Sequence, residues 1–438
     1  MKVRAASDRA AEWTPALRVA FRFAVVYFAL YTLVSQLIGG LILTPFFSFP
    51  ALGTIWPIRD VTSWFAARLF RVEPPLLMWT GDSGDTAFYW TQTLLLLVIS
   101  AVVCWYWTDA DRERTEYDRL QKWFRLFMRF ALAAQMFHYG IAKVIPTQFA
   151  APSLVTLVEP VGNLSITDLL WTFIGASTPY QMFTGWAEMA AGVLLLVPRT
   201  ASLGAIVAFV DMTQVFALNM WYDFGLKQIS FNYMVMSLVV LAPDLPRLAD
   251  VLVWNRPAPA AAEPPLFESE RTNRRALIAQ ALVGVYLLAM YVYIGVNYWY
   301  GPGAGGYPKS PLYGIWNVEE LSVDGQTPAT EDIGYDRRWR RVIFDAPGRM
   351  AFERTDDSFL HYDASIDTAS RSVTLTKKNS AAWRANLQFV RPNDDELTLE
   401  GDVDGQHVRV RTRRVDPATF RLLNSRFRWL RPPDPYSG

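Results

Sequence analysis

The sequence predicts an α-helical polytopic membrane bundle followed by an antiparallel β-barrel. Three observations carry that expectation. Residues 17–300 hold seven long apolar stretches with few charges. From residue 312 the hydrophobic period shortens to two, and Arg, Asp and Glu become frequent. Charged residues make up 19% of the 438-residue chain, against about 25% in soluble proteins, and the deficit falls in the first part.

A membrane helix needs about 20 mainly apolar residues. The stretches 19–43, 88–107, 123–145, 180–198, 201–219, 229–245 and 275–298 come close to that length. The first is too long for a signal peptide and lacks a small-residue cleavage site, so it is expected to stay as a span. With the N-terminus inside, the inside segments carry fifteen Lys and Arg residues and the outside segments four: Arg59, Arg68, Arg71 and Lys227. Seven spans then place the C-terminal domain outside, in the periplasm of a bacterial inner membrane. Residues 154–175 are apolar too, but Glu159, Pro160, Gly162 and Asp168 interrupt them. They are expected to form an outside loop with an interfacial helix; as a true span they would move the tail to the cytoplasm.

The chain divides accordingly. Residues 1–122 hold the first helices and a proline- and aromatic-rich outside loop (44–87) expected to fold back on the bundle. Residues 123–254 form a helical core. The linker 255–274 begins with the Pro/Ala-rich "NRPAPAAAEPP" and is expected to be a flexible cytoplasmic tether. Residues 275–300 are the last span, and 301–438 the β-domain.

Net charge is +1, which gives no reason to expect nucleic acid. The single cysteine, Cys104, excludes an internal disulfide, a CxxC redox pair and a cysteine zinc site. Three histidines, His138, His361 and His407, are too few for a multi-histidine metal or haem centre.

The third span carries the candidate chemistry, in "FHYGIAKV" (137–144). At 100° per residue, Gln135, His138, Tyr139, Ala142 and Lys143 share an arc of roughly 140°. Phe137, Ile141 and Val144 face away, toward lipid. On the fourth span Gln181, Gly185, Glu188 and Gly192 align, and the glycines permit close helix approach. On the fifth, Asp211 and Gln214 share a face, with Asn219 at its edge. Asp223 and Lys227 stand four apart and can pair near the outer mouth if helical. Ionisable groups at membrane depth cost about 2.5–3.5 kcal/mol each and persist when paired or facing a wet cavity. Lys143 and His138 are therefore expected to meet Glu188 and Asp211 in an intramembrane cavity. The bland alternatives are a Lys143 that snorkels outward near Pro146, a Glu188 that serves only as a structural ion-pair partner, a His138 that merely fills the core, and an Asp211 that bonds Gln214.

In the tail, nine stretches are expected to be strands: 314–323, 340–346, 349–355, 358–365, 372–378, 383–391, 396–403, 407–414 and 420–429. Asp-Gly, Asp-Asp, Pro-Gly and Asn-Asp pairs separate several of them. Eight or nine short strands fit a meander closing into a barrel able to hold one small ligand. "GIW", with Gly314 and Trp316, opens the first strand and resembles the Gly-x-Trp of the lipocalin family. That resemblance implies a tryptophan plugging the closed end, with an arginine over it; Arg426 or Arg428 is the candidate.

"YGIAKV" (139–144), "GWAEMAAGVLLLVPRTASLGA" (185–205), "LNMWYDFGLKQISF" (218–231) and "APDLPRL" (242–248) together resemble the DoxX-like membrane proteins. The resemblance covers about 125–255 and implies Gly140, Lys143 and Glu188 as shared positions. It also implies membrane redox chemistry. More distantly, the bundle resembles the membrane domain of vitamin K-dependent carboxylases, where a lysine acts as base on a quinol. Two functions follow as expectations. One is a redox protein, or a subunit partnering an oxidoreductase, that binds a quinone or another lipid-soluble molecule among these helices. The other is a non-enzymatic transporter, scaffold or assembly factor whose barrel binds an apolar ligand or a partner protein.

Overall fold

A computed structural model describes residues 13–47, 49–73, 76, 78, 84–258, 265–301, 309–326, 338–377, 380–424 and 429–430. In chain order the helices are α1 Pro15–Val34, α2 Leu37–Leu41, α3 Ile58–Leu69, α4 Ala87–Ala110, α5 Asp118–Val144, α6 Leu154–Val158, α7 Ile166–Gly175, α8 Thr178–Leu196, α9 Ala201–Trp221, α10 Lys227–Leu241, α11 Leu245–Leu252 and α12 Glu270–Tyr300. Strands β1 Gly314–Val323, β2 Trp339–Phe344, β3 Arg349–Arg354, β4 Phe359–Asp367, β5 Ser372–Lys377, β6 Ser380–Val390, β7 Glu396–Val403 and β8 Gln406–Arg414 follow. Two compact units result: a helical unit (1–145 and 182–297) and a barrel unit (146–181 and 298–438).

All seven apolar stretches lie on helices. Among the described residues four helical segments are long and apolar enough to cross a membrane: Pro15–Val34, Ala87–Ala110, Pro198–Trp221 and Glu270–Tyr300. The others depart for physical reasons. α5 carries Arg119, Lys122, Arg125 and Arg129 in its first half, and α10 has only 15 residues. The expected single helix over 19–43 is in fact two. α1 starts where Pro15 sits at the first turn and the Thr14 hydroxyl accepts the Leu17 N–H at 3.2 Å. It ends at Ser35, whose backbone is extended, and α2 restarts after Gln36.

α5 is the axis of the helical unit. Met128, Leu132, Met136 and Phe137 are fully buried among side chains of α1, α8, α9 and α10. The expectation that Phe137 and Ile141 face lipid is therefore wrong: they face α8 and α12. A Cβ on Gly192 would sit 2.6 Å from the Phe137 ring, and one on Gly295 2.5 Å from Ile141 Cγ2. Buried arginines serve the helix ends. Arg129 donates to the Leu195 and Leu196 carbonyls at the end of α8, both at 2.9 Å, and Arg125 to Val240 at the end of α10 at 3.1 Å. A cation there complements the C-terminal dipole and satisfies orphan carbonyls. The proline- and aromatic-rich loop folds back on the helical unit as expected: Gln92 Nε2 on α4 donates to the Gly53 carbonyl at 3.2 Å.

The eight strands form a closed antiparallel barrel, each paired with its chain neighbour and β8 with β1. Asp404 and Gly405 both have positive φ in the two-residue turn joining β7 to β8, the mirror-image turn that matches strand twist. The expected ninth strand is not one among residues 420–424, which form turns. Closure by β8 on β1 leaves no edge for it. Trp316, Phe344, Phe352, Leu375, Leu387 and Leu399 belong to one continuous interior cluster, so side chains fill the barrel. Trp316 is fully buried and its indole N–H donates to Leu312 O at 3.0 Å. The arginine over it is Arg391, 5.6 Å from the ring, at the end of β6. Arg426 and Arg428 lie outside the described residues.

Residues 154–175 are not one span. α6 and α7 are separate, and the ten residues of α7 reach only about 15 Å. α6 covers an outer apolar patch of the barrel, where Leu154 meets Ile315, Ile343 and Ala351. The Leu154 N–H donates to Asp345 Oδ2 at 3.2 Å.

His407 on β8 lies 3.1 Å from Asp402 and 3.4 Å from Glu400. Hydrogen bonds to Asp402, then Glu400, raise its pKa above the ordinary value. A raised folded-state pKa stabilises the barrel fully below about pH 6.5, and that stabilisation disappears as pH rises through the raised value. The expected result is a thermal midpoint that falls between pH 6 and pH 8 in the parent chain and falls less in His407→Gln, read by calorimetry at both pH values.

Candidate functional site

Gly140 on α5 and Gly185 on α8 bring two backbones together. A Cβ on Gly185 would lie 2.7 Å from the Gly140 carbonyl oxygen and 2.7 Å from Lys143 Cβ. Gly192, seven residues on, lies against Phe137 and Ala133, so the helices run antiparallel. Lys143 lies three residues past its glycine and Glu188 three past Gly185. Side chains lean toward the N-terminus of their own helix. On antiparallel helices these two therefore lean back toward the same crossing and meet. Lys143 Nζ donates to Glu188 Oε1 at 2.6 Å, with Glu188 1% exposed. Snorkelling is excluded for Lys143.

The second half of the polar stripe faces elsewhere. His138 and Lys143 mark the two edges of the 140° arc, and the edges meet different neighbours. The His138 ring lies edge-on to Tyr291 of α12, with centroids 5.7 Å apart, and edge-on to Tyr139 at 4.8 Å. Tyr139 lies between the edges, its ring 5.8 Å from Lys143 Nζ. The break between α1 and α2 then brings in Gln36. Its Nε2 lies 2.9 Å from Tyr139 Oη and 2.8 Å from Tyr233 Oη, which takes both amide hydrogens. Tyr233 in turn donates to Gln135 Oε1 at 2.8 Å. Gln135 Nε2, on a side chain 1% exposed, has no partner among the described residues.

Gln135 and His138, with Gln36, Gly40, Phe49 and Tyr291, line an open cleft of about 330 Å³ on whose wall His138 is exposed. Gly40 makes room for it: a Cβ there would sit 2.4 Å from Gln135 Nε2 and 2.7 Å from Tyr291 Oη. Lys143, Glu188 and Asp211 are not on this wall. The single expected cavity is thus two adjoining features, an ion pair between α5 and α8 and an open, largely apolar cleft between α2, α5 and α12 with Gln36, Gln135 and His138 on its wall, joined through Tyr139.

Asp211 forms no ion pair among the described residues, although Glu188 and Lys143 lie within electrostatic reach. Its Oδ2 is buried without a partner. Gln214, about 60° round α9 from Asp211, is exposed and takes no part in the site. Asn219 is structural: its amide donates to Leu226 O and Ser230 Oγ, both at 3.1 Å. Lys227 and Asp223 pair at 2.8 Å, holding the Asp223 carboxyl below its usual range, but Asp223 is in a turn and largely exposed. Neither reaches the cleft. Sequence reasoning missed Gln36, Tyr233 and Tyr291. Gln36 had one signal, a polar pair (Ser35-Gln36) before Gly39-Gly40 inside an apolar run. It also missed Asp85, whose carboxylate caps α10 through the Lys227 and Gln228 N–H groups at 2.7 and 3.2 Å.

No family model matches the chain, and no solved structure matches it. Uncharacterized protein YwoB of Bacillus subtilis (strain 168) is 38% identical over 121 residues, which cover 28% of this chain and 74% of that protein. The chain belongs to the YwoB family. The relative's name carries no activity, so chemistry has to be argued from the cleft and the ion pair.

Proposed function

We propose that the helical unit binds a lipid-soluble carbonyl compound, of which a quinone is the leading case, in the cleft beside Gln135 and His138. The carrying observation is the Gln135 amide: the residue lines the cleft, its buried Nε2 has no partner among the described residues, and a donor without a partner calls for an acceptor. A carbonyl oxygen supplies one, and the aromatic rings of Phe49 and Tyr291 suit a flat ring. Ligand clefts of about 300 Å³ and more are ordinary for small molecules. A quinone would bring redox chemistry; the chain's own residues would orient it. The buried Lys143–Glu188 pair lies beside the Tyr139 ring, and the Tyr139 hydroxyl holds Gln36 next to Gln135. The resemblance to DoxX-like proteins points the same way.

In this reading all seven helices span a bacterial membrane, with the arginine-rich ends of α4, α8 and α10 at the cytoplasmic side. The barrel and residues 146–181 belong to one compact unit, so they share the opposite side. Its filled interior favours a partner-facing or structural role for the barrel over carriage of a ligand.

The test is retention of quinone. Chain purified from membranes and loaded with ubiquinone should hold it, and His138→Phe and Gln135→Leu should each lose at least about tenfold in affinity. Absence of binding in the parent chain, or equal binding in both variants, overturns the reading.

A further inference from the structure

A second cavity, of about 230 Å³, lies on the other side of Gln36. Ser35, Thr54, Gln92, Thr93 and Gln228 line it together with Gln36. It sits at the end of the helical unit where α4 and α10 begin. This wall is unlike the apolar outer faces of the same helices, where Leu94, Val98 and Val102 of α4 point outward. Gln228 is nine-tenths buried; its Oε1 accepts from Thr93 Oγ1 at 2.6 Å, yet its Nε2 has no partner among the described residues. Room and several hydrogen-bonding side chains on the wall are conditions under which water occupies a protein cavity, and here they stand among the apolar surfaces of Tyr31, Leu96 and Ile229. At about 30 Å³ per molecule the volume holds roughly seven waters.

We propose that this second cavity is an aqueous vestibule that brings water to Gln36 and so hydrates one side of the polar cluster whose other side is the His138 cleft. Gln36 alone among the polar residues named here lines both cavities. It stands between them, its amide nitrogen held by Tyr139 and Tyr233. The vestibule thus supplies the solvent contact that a buried Lys–Glu pair and its tyrosine otherwise lack, through Tyr139. The purpose given to the hydration rests on the function proposed above. The hydration itself does not, since it is argued from the six hydrogen-bonding side chains named on the lining and the room between them.

Thiol labelling tests it, because a thiol reacts as the thiolate, and thiolate forms only where water reaches. Cys104 is the only cysteine, so Cys104→Ala gives a background without thiols. In that background Thr54→Cys, Thr93→Cys and Gln36→Cys are reconstituted in nanodiscs, which leave both faces open to the reagent. Val98→Cys, on the outer face of α4, is the reference. A small cationic methanethiosulfonate should modify all three vestibule thiols at least about tenfold faster than Val98→Cys. Equal rates overturn the vestibule. A fast Thr54→Cys with a slow Gln36→Cys overturns the link to the cluster. Ser35→Cys, nearly isosteric, replaces any variant that fails to elute as a folded monodisperse species. Labelling reads water rather than ligand, so it succeeds or fails independently of quinone retention.

Discussion

Lys143→Met and Glu188→Leu will each destabilise the helical unit by about 3–5 kcal/mol, and the double variant will recover most of the loss. The pair is buried, with side-chain exposures of 10% and 1%. Removing one partner strands the other charge away from water, and that stranded charge carries most of the cost. Insertion scales give a similar size, about 2.5–3.5 kcal/mol for one ionisable group at membrane depth. Replacing both by apolar residues removes the desolvation cost together with the attraction, a change that is often neutral or favourable. The comparison is read as thermal unfolding in detergent, with folded yield by size exclusion as a second measure. Additive losses, or single variants as stable as the parent, would mean the amine and the carboxylate do not meet in the protein. The double variant also separates stability from binding. If it folds but holds no quinone, the pair orients the cleft as well as holding the fold.

Much of this was legible in the sequence, because the signals were local. The seven apolar stretches fell on helices, four of them long and apolar enough to cross a membrane, and a period of two located eight strands. Lys143 and Glu188 stood out because ionisable groups are costly in apolar runs, and Gly185 beside Glu188 predicted the close neighbour. Gln36 was not legible, since a hydropathy window smooths over two polar residues, and only the tyrosines of α5 and α10 reveal why the helix breaks there. The arc on α5 was drawn correctly but assigned to one partner. Its 140° width is enough to face two, and helix packing, not periodicity, decides which. The ninth strand is not formed over the described residues 420–424 for a similar reason. Its alternation is real, but pairing needs an edge, and β8 had already closed on β1. Gln214 does lie within about 60° of Asp211 by rotation, but that edge of the face is exposed, which periodicity alone does not show.

The geometry that makes the ion pair possible can be attacked without touching either charge. Gly185→Leu will force α8 away from α5, because even the first added carbon would lie 2.7 Å from the Gly140 carbonyl and 2.8 Å from the Val144 nitrogen. Those are backbone atoms within helices and cannot swing aside. Overpacking alone costs about 1–3 kcal/mol, and separating the helices adds the cost of an uncompensated pair, about 3–5 kcal/mol. Together these approach the stability of a whole domain, so little folded protein is expected. Gly185→Ala should lie between, since one methyl group displaces the helix less. Gly162→Ala is the control: nothing lies within 4 Å of an added Cβ there, and its yield should match the parent. Glu188→Leu in the Gly185→Ala background then tests the coupling. If the alanine has already pulled the carboxylate from the amine, the second substitution will cost clearly less than it does in the parent chain. A full additional loss would mean that the glycine contact and the ion pair stabilise the unit independently, and the crossing would no longer explain why the lysine is held where it is.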